Sequence, residues 1–181
     1  MYNFTAKIIQ DFRDYRTKKL SSLAKFLLKL KISANVMTTL SLLFGLTSIY
    51  FLFNNHLLFI IFAILHFLAD ILDGVLARSS KSTAFGQYYD YSVDQIIALL
   101  LIIKIGIYLH EYYAYIAAFL YLLTHIIYIT NKFKSPILFT RTFTMIILFF
   151  NLPKLAFLTA GVISVYSLAL QLQYFVTKKN N

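Results

Sequence analysis

Long apolar runs dominate this chain, broken at short intervals by small polar clusters. A bilayer crossing needs about 20 predominantly apolar residues. Six stretches read as crossings: 34–53, 57–77, 88–109, 112–130, 136–150 and 153–175, the fifth being the shortest. The connections are short, so neighbouring helices are expected to pack antiparallel. The pattern predicts an all-α integral membrane protein, a six-transmembrane-helix bundle.

Residues 1–33 follow a different pattern. Ile8, Ile9, Phe12, Leu20, Leu23, Phe26, Leu27 and Leu30 recur at roughly helical spacing among basic residues. This predicts an amphipathic helix lying in the cytoplasmic interface; a solvated basic arm would carry fewer apolar positions. The expected organisation is a basic amphipathic arm over 1–33 and a six-span domain over 34–181. The charged stretch ahead of the first apolar run is too long to read as a cleaved signal peptide.

Composition agrees with burial in lipid. The chain is 60% hydrophobic and 13% charged, with a mean hydropathy of +0.72, whereas soluble domains carry roughly 25% charged residues. With no cysteine, disulfides, thiolate zinc sites and cysteine nucleophiles are excluded. The net charge is +10, and eight of the 17 Lys and Arg lie in residues 1–33, directly before the first span. That placement favours anionic headgroups as partners over nucleic acid. Arg78 and Lys81, Lys132, Lys134 and Arg141, and Lys178 and Lys179 fall on the same side of the six spans as the arm. The opposite turns carry only Lys154. By the positive-inside rule both termini are expected in the cytoplasm.

The acidic residues carry the chemistry. Only seven Asp and Glu exist, and four fall in one stretch: Asp70-Ile-Leu-Asp73-Gly74-Val-Leu-Ala77-Arg78, then Gly86-Gln-Tyr-Tyr-Asp90-Tyr-Ser-Val-Asp94. An intramembrane charge costs roughly 2.5–3.5 kcal/mol on insertion scales, so four carboxylates near one Arg call for bound cations. Asp70 and Asp73 are i, i+3; Asp90 and Asp94 are i, i+4. Each pair shares a helix face, and a short loop joins the two helices. Clustered carboxylates suit hard divalent cations such as Mg²⁺ or Mn²⁺, and two such ions can clamp a phosphoryl transfer. Two other readings stand beside this one. Membrane Asp residues can be polar glue between helices. They can also mark a cation or proton transport path, although a transport site is expected nearer the midplane. Gly74 and Ala77 leave space beside Asp73 for a flat ligand or for another helix. Arg78 could grip phosphate with its guanidinium fork.

These residues resemble the signature of the CDP-alcohol phosphotransferase (CDP-alcohol phosphatidyltransferase) family, D-x-x-D-G-x-x-A-R, a spacer, then G-x-x-x-D-x-x-x-D. All eight defining residues are present: Asp70, Asp73, Gly74, Ala77, Arg78, Gly86, Asp90 and Asp94. The spacer Ser79–Phe85 has seven residues instead of the usual eight. Upstream, Ile32-Ser-Ala-Asn-Val-Met-Thr-Thr-Leu-Ser41 is similar to the start of the family's first span, with Ala34 replacing the usual Pro. Beyond about residue 95 only the general plan is similar.

The resemblance implies phospholipid biosynthesis. A substituted phosphoryl group passes from a CDP-linked lipid alcohol, such as CDP-diacylglycerol or CDP-archaeol, to an acceptor hydroxyl, and CMP is released. It implies that Asp70, Asp73 and Asp90 bind two divalent cations, Mg²⁺ or Mn²⁺. Asp94 would ligate metal or accept the hydroxyl proton. Gly74, Ala77, Arg78 and Gly86, with Asp70 and Asp73, would hold the nucleotide part. Partners are a CDP-linked lipid alcohol, a small hydroxyl acceptor and membrane lipids, with a second copy of the chain as a candidate and no nucleic acid.

The acceptor is less legible. Lys132, Lys134 and Arg141 form a cytoplasmic basic cluster, and Arg141 lies in apolar surroundings where it should have a partner. The expected acceptor is a phosphorylated polyol such as inositol phosphate. Snorkelling topology residues are the alternative. Ser41, where glycerol-phosphate enzymes tend to have Arg, disfavours glycerol phosphate; serine or an aminoalcohol stays open. His66 sits four residues before Asp70 and reads as packing, or as support behind the metal ligands. His125 reads as structural, and Lys104 is given no role.

Overall fold

The computed structural model describes residues 2–80, 83–132, 135 and 137–179. Lys81, Lys134, and the side chains of Ile8, Ile9, Phe12, Lys178 and Lys179, all used in the sequence expectations, lie outside the described residues. Among the described residues seven helices follow in order: α1 (Tyr2–Lys29), α2 (Ala34–Phe51), α3 (His56–Ser79), α4 (Ala84–Leu109), α5 (Tyr112–Thr130), α6 (Thr140–Phe149) and α7 (Pro153–Lys179). Among the described residues there is no strand.

Five helices, α2 to α5 and α7, are long and apolar enough to cross a membrane. Among the described residues of the stretch expected as a fifth span, 136–150, helix covers the ten residues of α6. At 1.5 Å per residue α6 is about 15 Å long, half of a hydrocarbon core of about 30 Å. Long side chains on the spans stay more than half exposed, among them Leu57, Phe119 and Val162. Water would not tolerate so continuous an apolar surface, whereas lipid tails solvate it.

The chain divides into two units. The first comprises residues 1–45 and 64–93, the second 46–63 and 94–181. In the first, Ala24 of α1, Met37 of α2 and Ala69, Val75 and Leu76 of α3 form a buried cluster, with Leu20, Leu27 and Leu28 packed against it. Thus α1 is docked through a stripe at helical spacing. Among the described side chains, Tyr15, Leu23 and Phe26 of α1 and Leu30 just past it remain exposed beside Lys18, Lys19, Lys25 and Lys29. The apolar positions read as one face along the sequence therefore divide into two.

In the second unit α7 packs on both α5 and α6. A Cβ on Gly161 would meet Ala117 Cβ at 3.3 Å, so glycine permits close approach of α7 to α5. His56 Nε2 lies 3.1 Å from the Phe149 carbonyl and ties the start of α3 to the end of α6. Lys104 reaches the end of α2. Its ammonium donates to the carbonyls of Ile49 and, at 2.9 Å, Tyr50. Those carbonyls lie in the last turn of α2, at its negative dipole end, where Ile49 O also accepts the Leu52 N–H and Tyr50 O the side-chain amide of Asn54.

Candidate metal centre

The site grows from the α3–α4 connection. Helix α3 runs to Ser79 and α4 begins at Ala84, so the seven-residue spacer takes in both helix ends and the residues between them. Thr83 caps α4: its Oγ accepts from the Gly86 N–H at 3.0 Å, and its carbonyl accepts from the Gln87 N–H at 3.1 Å. A Thr in this position satisfies amides that the first turn leaves unpaired. The motif phase is therefore kept on both sides of the short spacer.

Asp70 of α3 and Asp90 of α4, both half-buried, each offer a carboxylate oxygen, and these two lie within 4.8 Å of one another. Asp94 follows one turn along α4. Asp73 is held differently. It is buried, and its Oδ2 accepts a 2.9 Å hydrogen bond from the hydroxyl of Thr38 on α2. Sequence reasoning thus expected Asp70 and Asp90 to approach each other, but not the clamp on Asp73.

The donor set fits a hard cation. Mg²⁺ binds oxygen at 2.0–2.1 Å in octahedral geometry, which places two ligands of one ion roughly 3–4 Å apart. Oxygens gathered within 4.8 Å need only small rotamer changes to share an ion. Two half-buried anions this close repel each other unless a cation lies between them.

Around the carboxylates, small residues make room. The Arg78 guanidinium lies along α3 over Gly74, where a Cβ would stand 3.4 Å from Nη1. Arg78 Nε donates to Thr17 Oγ1 of α1 at 2.7 Å. A Cβ on Gly86 would come within 3.0 Å of Asn35 Oδ1, and the hydroxyls of Thr39 and Tyr89 are 3.0 Å apart. The first turns of α2 therefore contribute Asn35, Thr38 and Thr39. Their signal was legible as polar residues at i, i+3 and i+4 opening an apolar span, yet sequence reasoning gave them no role. Ala77 is half-buried on α3.

In the second unit Arg141 of α6 forms an ion pair with Asp94, its Nη1 on Oδ1. The partner expected for this Arg is thus one of the four aspartates. Beside it, Tyr121 donates its hydroxyl to Gln95 Oε1. Lys132 is exposed just past α5 at φ 53°, and Lys134 lies outside the described residues. His66 Nδ1 sits 2.8 Å from Ser41 Oγ and joins α3 to α2, while His125 Nδ1 bonds the Tyr121 carbonyl at 2.7 Å. Both histidines are buried and structural.

The model of the CDP-alcohol phosphatidyltransferase family matches residues 31–177, which takes in the four aspartates and all five candidate spans. The chain belongs to the CDP-alcohol phosphatidyltransferase family. The match extends far beyond residue 95, where the resemblance read from motifs had thinned to the general plan. A comparison with curated proteins finds no match. The family consists of membrane transferases that act on a CDP-alcohol and an alcohol acceptor and use divalent cations. Five apolar helices agree with a multi-pass membrane protein.

Proposed function

We propose that this chain transfers a substituted phosphoryl group from CDP-diacylglycerol or CDP-archaeol to a hydroxyl of a phosphorylated polyol such as inositol phosphate, releasing CMP. The observation that carries the reading is the meeting of Asp70 and Asp90 carboxylates from two helices within reach of one cation. Asp70, Asp73, Asp90 and Asp94 would hold two Mg²⁺ or Mn²⁺ ions, which supply positive charge against the diphosphate and the departing CMP. Gly74, Ala77 and Gly86 leave room for the nucleotide, and Arg78 grips its phosphates. Asp94 accepts the proton of the acceptor hydroxyl. The acceptor oxygen forms a bond to the lipid-side phosphorus, the bond from that phosphorus to CMP breaks, and CMP leaves with the electron pair.

Arg141 bears on the acceptor end. A guanidinium has five donors in a fixed fork, so it can orient Asp94 and meet an acceptor phosphate together. Lys132 and Lys134 add positive charge for that phosphate. Ser41 is buried against His66 and offers no cation for glycerol phosphate.

In the membrane, the exposed apolar and lysine residues of α1 support an amphipathic interfacial helix, with residues 1–33 as the arm and 34–181 as the catalytic domain. Residues 136–150 would make the sixth crossing, with α6 as its helical part. Both termini and the carboxylates then face the cytoplasm. The test incubates reconstituted protein with radiolabelled CDP-diacylglycerol and a panel of acceptors. A labelled lipid formed with inositol phosphate but not with serine supports the reading; a product with serine or an aminoalcohol alone overturns the acceptor assignment.

A further inference from the structure

The inward stripe of α1 is apolar from Leu20 through Ala24 to Leu27 and Leu28, all packed against the core of the first unit. One turn before Leu20 the same face carries a polar residue, Thr17. Its hydroxyl oxygen accepts the Arg78 Nε–H at 2.7 Å, across 61 residues of sequence. The planar guanidinium of Arg78 rests over Gly74, with Nη1 and Nη2 3.4 and 3.6 Å from where a Cβ would stand. One side of the fork is therefore bounded by bare helix and its inner nitrogen is tied to α1. Arg has many rotamers, and holding it in one costs entropy unless the surroundings supply it.

The geometry points to Thr17 as a positioning residue for CDP-alcohol binding: it fixes Arg78 from the N-terminal helix so that the guanidinium meets the diphosphate pre-oriented. The inference rests on the reading of Arg78 as the phosphate grip. It gives α1 a part in substrate affinity beyond any contact with the membrane surface, since removal of one hydroxyl on this arm loosens a nucleotide contact on α3.

The experiment measures CDP binding to the full-length protein in detergent with excess Mg²⁺ by isothermal titration calorimetry. The variants are Thr17→Val, Thr17→Ser, Arg78→Ala, Arg78→Lys and Thr17→Val with Arg78→Lys. Thr17→Val keeps the shape and removes the acceptor oxygen; it should raise the CDP Kd roughly tenfold, close to the lower end of the range for a hydrogen bond to a charged group. Thr17→Ser should bind as the parent does. Lysine has no Nε–H to place, so Thr17→Val should cause no further loss in the Arg78→Lys background. Wild-type affinity in Thr17→Val, with affinity lost in Arg78→Ala, would overturn the positioning role alone. Wild-type affinity in Arg78→Ala would overturn the phosphate-grip reading, and the positioning role with it. Equal losses in Thr17→Ser and Thr17→Val would assign Thr17 a packing role and also refute the proposal.

Discussion

Replacing Asp70 by Asn should make the metal-free protein more stable. Asp70 and Asp90 hold carboxylate oxygens within 4.8 Å of each other. At an effective dielectric constant of about 20, two unit charges at that distance repel by roughly 3.5 kcal/mol. Both groups are half-buried, so solvent and salt reduce this, and a gain of about 1–3 kcal/mol is expected. Asn has nearly the same shape and leaves the packing alone. A residue that serves a cation rather than the fold should show this trade of stability for function. The assay is thermal unfolding in detergent, first in excess chelator and then across an Mg²⁺ titration. Asp70→Asn should melt above the parent in chelator and gain much less from Mg²⁺, because ligand binding stabilises the folded state in proportion to its affinity. A variant that melts lower in chelator, yet is stabilised by Mg²⁺ as fully as the parent, would refute the reasoning.

The other aspartates should separate by metal rescue. Asp73→Asn should recover part of its rate as Mg²⁺ is raised. Asp94→Asn should lose about 10²–10⁴-fold, as for general-base loss, without rescue; rescue of both to the same extent would make Asp94 a metal ligand and not the base. Gly86→Ala sets a Cβ 3.0 Å from Asn35 Oδ1 and 3.2 Å from Thr83 Oγ1. It should cost about 1–3 kcal/mol of stability, as overpacking does, and Asn35→Ala in the same chain should return part of it; an unchanged melting temperature would mean that α2 and α4 part easily. Lys104→Met should lose about 1.5–3 kcal/mol with its charged hydrogen bonds to the carbonyls of Ile49 and Tyr50, checked by the same melting assay. His110 ends α4 at φ 53°, so His110→Gly should stabilise by about 1 kcal/mol.

How far the sequence carried depends on the kind of constraint. The helix-length apolar runs were plain because lipid demands them, and five of the six became helices of spanning length. The sixth was ambiguous because apolar character does not distinguish a ten-residue helix from a full crossing. The convergence of Asp70 with Asp90 was legible from helical periodicity and a short connection. The grip of Thr38 on Asp73 and of Thr17 on Arg78 was not, since each joins residues 35 or 61 positions apart through tertiary packing. The need of Arg141 for a partner followed from its apolar neighbours, but composition could not say that the partner is Asp94. The apolar residues of α1 were seen as one face because spacing alone does not tell docked leucines from exposed ones.

The central claim is that the four aspartates serve cation-dependent transfer from a CDP-alcohol and not ion movement. The most direct test reconstitutes the chain in liposomes carrying CDP-diacylglycerol and an acceptor. It follows CMP release and cation flux in the same vesicles, with Mg²⁺ and with excess chelator. The account predicts CMP in step with new lipid product, abolished by chelator and restored by Mg²⁺ or Mn²⁺, with no flux above that of empty liposomes. Full CMP release in chelator, or cation flux with no CDP-alcohol present, would contradict it.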